Sequence, residues 1–325
     1  MIQLKYVLRA MFFTLLILGG STVFAQDWPS KPVRIIFPYA PGGSGDAVAR
    51  NLAKRIEIAT KQTVTVENIT GGGTVVAAQS VINSAPDGIK LFFTGTETMT
   101  VMKHTNSRLP IDPDKELTPI TFVNTLPHWL VVRADRAEKT LLEFIELIRK
   151  NPGTVNISVN SIGGAAHLSL ANWAKKNNLD FTIVPYRGSA PAMIDLIGGV
   201  TTAHVDVVGS SLPFVKDRKV KALSMLQQNP LADFPDVPAS PAENKGGLLI
   251  NIQHLLAVKS GTPSSTVNRI YDVVKQVTAE PEFIEFLRNY GYERSIPTPA
   301  KTKELLESES KKFGDIGRLM NIKFN

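Results

Sequence analysis

The sequence predicts an α/β protein built from parallel sheets and crossover helices, with enough chain for two domains of ordinary size. Three observations carry this reading. Short apolar runs alternate with helical patterns along most of the chain, glycine pairs and triplets recur where a strand hands over to a helix, and about 300 residues remain once an export-like start is set aside.

Taken in order, apolar runs predict strands at 33–37, 63–67, 90–94, 129–133, 155–159, 181–185, 203–208, 221–226 and 254–258. The first is the run Val33, Ile35, Ile36 and Phe37 between Pro32 and Pro38, and a helix follows with Val48, Leu52 and Ile56 at four-residue spacing. A second clear helix carries Leu141, Ile145 and Ile148 and is stopped by Asn151-Pro152-Gly153. A proline-rich loop, Asn229 to Pro241, interrupts the alternation, and "IQHLLAVKSGTP" resumes it.

The first 25 residues read as an export signal: Lys5 and Arg9, then the apolar run Ala10 to Gly19, then small residues at Val23-Phe24-Ala25. Cleavage after Ala25 is expected, because the run is short of the ~20 residues that span a bilayer. The chain has no cysteine, which excludes a lipid-accepting Cys, a disulfide framework and thiolate metal sites. Net charge is +7, and without Lys5 and Arg9 there remain 34 Lys and Arg against 29 Asp and Glu. That excess is mild, and no basic block with interleaved aromatics points to nucleic acid.

The turns after the strands hold the chemistry. They are Gly42-Gly43, Gly71 to Gly73, Gly163-Gly164 and Gly188. The first helical N–H groups have no partner inside a helix, so a strand, a glycine turn and a helix start can together hold an anion. The first turn is not a P-loop, since Asp46 and Ala47 stand where Lys and a hydroxyl belong, and Val48 replaces the third glycine of a dinucleotide fingerprint. A carboxylate fits. One glycine turn alone is equally explained by the bend it makes; four of them point to helix starts around a common cleft.

Enzyme chemistry is missing from the pattern. No HExxH occurs, His104, His128, His167, His204 and His254 lack metal-ligand spacing, and Gly42-Gly43-Ser44-Gly45-Asp46 lacks the last glycine of a nucleophile elbow. No catalytic residue, metal or cofactor is expected. Asp46 either complements its helix dipole or meets a ligand, Arg187 is either an anion partner or a solvated cation, and Tyr39 and Trp129 form either a cleft wall or packing.

Across the mature chain, "WPSKPVRIIFPYAPGGSGDAVAR", "VENITGGG", "APDGIKLFFTG", "VPYRGSAPAMIDLIGG", "VKALSML" and "KSGTP" follow one another in an order that resembles the Bug (TctC-like) family. These are periplasmic solute receptors that serve tripartite tricarboxylate transporters. The resemblance implies a two-domain type II periplasmic-binding-protein-like (Venus flytrap) α/β fold with two crossing hinge strands, for which "HWLVVR" and "HLLAVKS" are the candidates. The implied division is a signal at 1–25, a discontinuous first domain at 26–126 plus 255–325, and a second domain at 127–254. The ligand's carboxylate would be held by backbone groups of two loops, partly through ordered waters, without an arginine clamp.

Carried onto this chain, one loop is Tyr39, Ala40, Pro41, Gly42, Gly43, Ser44 and Asp46, and the other is Asn160, Ser161, Ile162, Gly163, Gly164 and Ala165. Thr94, Gly95 and Thr96 complete the first-domain wall; Gly72, Arg187, Gly209 and Ser210 complete the expected ligand-binding set. Two departures matter. Relatives often read "ENRPGAGG" where this chain has Asn68-Ile69-Thr70-Gly71-Gly72-Gly73, and "VDLMFD" where it has Val205 to Ser210. The second change puts a hydroxyl where a carboxylate could meet an amino group, which disfavours an amino-acid ligand.

The expected role is therefore capture of a small organic carboxylate by a monomeric periplasmic receptor, with large and small permease subunits as membrane partners. A sensory receptor serving a two-component kinase would carry the same pattern. An envelope hydrolase is the third class, disfavoured by the missing constellation.

Overall fold

The computed structural model describes residues 28–240 and 247–320. The expected signal at 1–25 and the end of the proline-rich loop lie outside the described residues.

The described residues hold ten strands in two five-stranded sheets, nine of them formed by the apolar runs. The first sheet has the order β2-β1-β3-β10-β4, from β1 (Val33–Phe37), β2 (Val64–Asn68), β3 (Lys90–Gly95), β4 (Leu117–Thr125) and β10 (Gln253–Lys259). The second has the order β7-β6-β8-β5-β9, from β5 (His128–Arg133), β6 (Asn156–Val159), β7 (Thr182–Pro185), β8 (Ala203–Val207) and β9 (Val220–Met225). Helices α1 (Ser44–Thr60), α2 (Val75–Ile82), α3 (Leu141–Lys150), α4 (Ala165–Asn177), α5 (Ser189–Ile197), α6 (Val208–Lys216), α7 (Ser264–Val277), α8 (Pro281–Arg288) and α9 (Pro299–Met320) cover them.

The sheets are mixed rather than wholly parallel. β1 pairs in parallel with β2 and β3, and β6 with β7 and β8, but β10 runs antiparallel to β3 and β4, and β5 antiparallel to β8 and β9. The reversed strands are the ones that enter from the other sheet. β4 continues through Leu126 and Pro127 into β5, and β9 returns by way of residues 226–252 to β10. The passes lie side by side, with Leu126 N–H donating to Ile252 C=O and Leu226 N–H to His128 C=O, both at 2.8 Å. The motifs "HWLVVR" and "HLLAVKS" thus each belong to one sheet, and the crossings begin just before them.

The sequence pattern does not predict β4, because Pro119 and Asn124 break it. Proline is tolerated there because β4 is an edge strand, and the register with β10 shifts near it, where Ala257 faces Pro119. The helices follow their sequence signals. Val48, Leu52 and Ile56 of α1 are fully buried, and Thr140 caps α3 by accepting from Glu143 N–H at 3.1 Å. Trp129 is core of the second sheet, with no exposure and its indole N–H on Ser211 Oγ at 2.7 Å; it forms no cleft wall. Among the described residues no helix is long and apolar enough to cross a membrane.

Candidate ligand-binding site

The two glycine turns that open α1 and α4 are built alike. In the first, Gly42 has φ +92° and Gly43, the N-cap, has φ −77° and ψ 167°. In the second, Gly163 has φ +70° and Gly164, the N-cap, has φ −76° and ψ 174°. The first glycine of each pair sits where a side chain is strained. Its N–H donates to the side chain four residues on: Gly42 to Asp46 Oδ2 and Gly163 to His167 Nδ1, each at 3.0 Å. The first intrahelical bonds are Ala47 N–H to Gly43 C=O and Leu168 N–H to Gly164 C=O. The amides of Ser44, Gly45, Ala165 and Ala166 precede them and have no acceptor within their helices.

Asp46 is a pin of the loop. Its buried carboxylate accepts from Gly42, from Arg50 Nε at 2.9 Å and Nη2 at 3.1 Å, and from Asn68 Nδ2 at 2.8 Å. Burial opposes its ionisation, yet the Arg50, Gly42 and Asn68 bonds together hold it below the usual carboxylate range. Asn68 also donates to Tyr39 C=O at 2.9 Å, which fixes the start of the same loop. The loop's Ala40, Pro41, Gly42 and Gly43 are exposed, a Cβ on Gly42 or Gly43 would meet nothing within 4 Å, and Tyr39 packs its ring edge-on against Phe37 at 5.2 Å.

The wall behind Tyr39 is a chain of hydroxyls. Thr94 Oγ1 lies 2.8 Å from Thr98 Oγ1, and Thr98 Oγ1 lies 3.1 Å from Thr74 Oγ1. Burial, then the neighbouring Glu97 charge, pushes the Tyr39 phenol up; burial likewise raises Glu97, opposed by the Tyr39 bond. Thr94 is fully buried. Gly95 packs beneath, since a Cβ there would lie 3.6 Å from Tyr39 Oη. Thr96 is tied to the crossing strand, donating N–H to Gln253 C=O at 2.9 Å and accepting from Gln253 N–H at 3.3 Å. Gly72 has φ +55°, and its turn joins the wall through Thr74.

On the second sheet the centre is Asp206, fully buried, which accepts from Asn160 Nδ2 at 2.8 Å and Ser189 Oγ at 2.6 Å. It thereby ties the end of β6 to the start of α5. Ser161 and Ile162 are exposed at the tip, and Ala165 is buried at the helix start. Gly188 N–H donates to Asn160 C=O at 2.8 Å, which keeps Arg187 beside this loop. Arg187 is exposed and pairs with none of the described residues. Gly209 and Ser210 open α6, the first buried and the second partly exposed.

The sequence pattern missed Asn68, Thr74, His167, Asp206 and Tyr292 as builders of the site. His167 alone carried a signal, in the four-residue spacing it shares with Asp46. Two cavities of about 320 and 370 Å³ lie at the crossing of the sheets, sharing Asn251 and Glu309. Of the expected site residues only Thr96 lines them; none of the glycine-turn residues does. Among the described residues no group of three or more His, Asp or Glu could hold a metal ion.

A family profile described as tripartite tricarboxylate transporter family receptor matches residues 48–322. A UPF0065 protein of Bordetella pertussis is 29% identical over 95% of this chain and 96% of its own. A structure described as a periplasmic transporter is 29% identical, covers 92% of this chain and 100% of its own, and superposes with a TM-score of 0.82. MatC from Rhodopseudomonas palustris with bound malate is 25% identical over 89% of this chain and 99% of its own, with a TM-score of 0.78.

Proposed function

The chain belongs to the tripartite tricarboxylate transporter family of receptors, and from that premise we propose that it captures a small organic carboxylate between its sheets and hands it to a membrane permease. The acid is a dicarboxylate, a tricarboxylate or an aromatic acid. The protein works as a monomer in the periplasm after cleavage behind Ala25, and releases its ligand chemically unchanged. The bodies that close on the acid are 26–126 plus 255–325 and 127–254, with the crossings as the hinge.

The observation that carries this reading is the matched pair of glycine turns, each pinned by a side chain four residues on and each leaving helix-start amides free. Such amides are built to receive an anion. Micromolar binding is about −8 kcal/mol, and hydrogen bonds to a charged group contribute roughly 1.5–3 kcal/mol each. About five such bonds, less several kcal/mol of ordering and desolvation, suffice without a buried arginine. The malate-bound relative supports the ligand class.

Native mass spectrometry of protein purified without refolding tests the proposal. A co-purified organic acid, released intact on denaturation, is the expected result. A bound cationic or uncharged solute, or turnover of the acid, contradicts it.

A further inference from the structure

We propose that Tyr292 holds Ser44 Oγ in place so that its hydroxyl proton turns toward the bound acid, and that residue 209 is glycine so that Tyr292 can reach it. The inference rests on the receptor reading above and names a positioning residue of the same site.

Tyr292 is remote from the glycine turn in sequence, 248 residues beyond Ser44. It follows α8, in a segment held to the crossing by Thr125 N–H on Glu293 C=O at 2.8 Å and Ser295 N–H on Val123 C=O at 3.1 Å. Its side chain is 1% exposed, stacked on Tyr290 at 6.0 Å and edge-on to His254 at 6.2 Å. The phenol donates to Ser44 Oγ at 2.8 Å. Burial raises its proton affinity, so it stays a donor at any working pH.

The other side of Tyr292 meets the start of α6. A Cβ on Gly209 would lie 2.5 Å from Tyr292 Oη, 2.7 Å from Cζ and 3.0 Å from Tyr290 C=O. In return, a Cβ on Gly291 would lie 2.6 Å from Val208 Cγ1. One phenol is thus locked between the first turn of α1 and the first turn of α6, helices that serve different sheets.

A serine hydroxyl has one proton and two lone pairs. With Tyr292 donating to one lone pair, Ser44 keeps the other lone pair and its own O–H, which reaches no acceptor among the described residues. Ser44 is partly exposed beside the exposed Gly42 and Gly43, so that proton is available to the cleft. Anchored in this way, the O–H is placed to donate to a carboxylate oxygen. Without the phenol the hydroxyl loses the contact that holds its oxygen in place.

Calorimetry with malate, succinate, adipate and benzoate on the mature protein first selects the tightest acid. Tyr292→Phe is expected to weaken that acid about three- to tenfold, and to cost nothing further in the Ser44→Ala background. Isotope-edited infrared spectra of the bound acid should show its carboxylate stretch moving the same way in Tyr292→Phe and in Ser44→Ala, which a packing role for Tyr292 would not produce. Gly209→Ala should reproduce the loss by displacing the phenol. Equal losses from Tyr292→Phe in both backgrounds, no loss at all, or an unmoved carboxylate stretch overturns the proposal alone. Wild-type protein that binds none of the four acids overturns the receptor reading, and the proposal with it.

Discussion

The two glycine turns share a backbone design but not the group that pins it. In the first, the acceptor is a carboxylate supported by Arg50 and Asn68; in the second, it is an imidazole. A carboxylate held below its usual range stays an acceptor far into acid, whereas a histidine accepts at Nδ1 only while neutral. The same geometry is therefore robust in one turn and pH-sensitive in the other. A shared backbone motif fixes where the amides point, and the pinning side chain decides over what pH range they stay there.

The largest effect should come from side chains at the turns themselves. Gly163→Val adds about 1–2 kcal/mol of left-handed strain and blocks the approach, so both the melting temperature and acid binding should fall. Gly43→Val places its side chain in open cleft from an extended backbone, so binding should fall at least tenfold, about 1.4 kcal/mol, with the melt nearly unchanged. Calorimetry beside thermal denaturation separates the two, and equal melting losses would erase the distinction drawn between the glycines.

Next come the pins. Asp46→Ala strips acceptors from Gly42, Arg50 and Asn68 and should cost roughly 2–3 kcal/mol. In His167→Ala the lost bond to Gly163 is a neutral one and should contribute about 1 kcal/mol. Urea unfolding of both variants measures the gap; a His167 cost as large as that of Asp46 breaks the ranking.

The pH response follows. Burial holds His167 below the ordinary imidazole value of about 6.5. The unfolded chain therefore takes up the proton first. Stability is full above that value and is lost as pH falls from it through the lower folded value. His128 and His254, depressed by burial to about 4 and about 3, extend the loss further into acid. As pH falls below about 6.5, acid affinity should decline in the wild type and hold steady in His167→Gln, whose side-chain oxygen can still accept from Gly163. A titration that looks identical in both proteins would remove His167 from the account.

The smallest effect should be Arg187→Gln, a change at an exposed and unpaired cation, expected to weaken binding less than about threefold. Abolished binding in this variant, with the Gly43 variant near normal, would mean that a charge clamp holds the acid.

Local chemistry made much of this readable in advance. Apolar runs such as "VRIIF", the stop at Asn151-Pro152-Gly153 and the glycine pairs before α1 and α4 each depend on a few neighbouring residues, and each appears where the sequence placed it. Arg187 and Ser44 could be named as candidates but not assigned roles, because their partners are distant. Tertiary structure alone decided that Asp46 pins a loop, that Trp129 is core, that β4 exists despite Pro119, and that Tyr292 meets Ser44 and Gly209. The physical reason is range: a turn or a helix start is encoded by backbone preferences within a few residues, whereas which donor meets which acceptor across 248 residues is settled only when the sheets are packed.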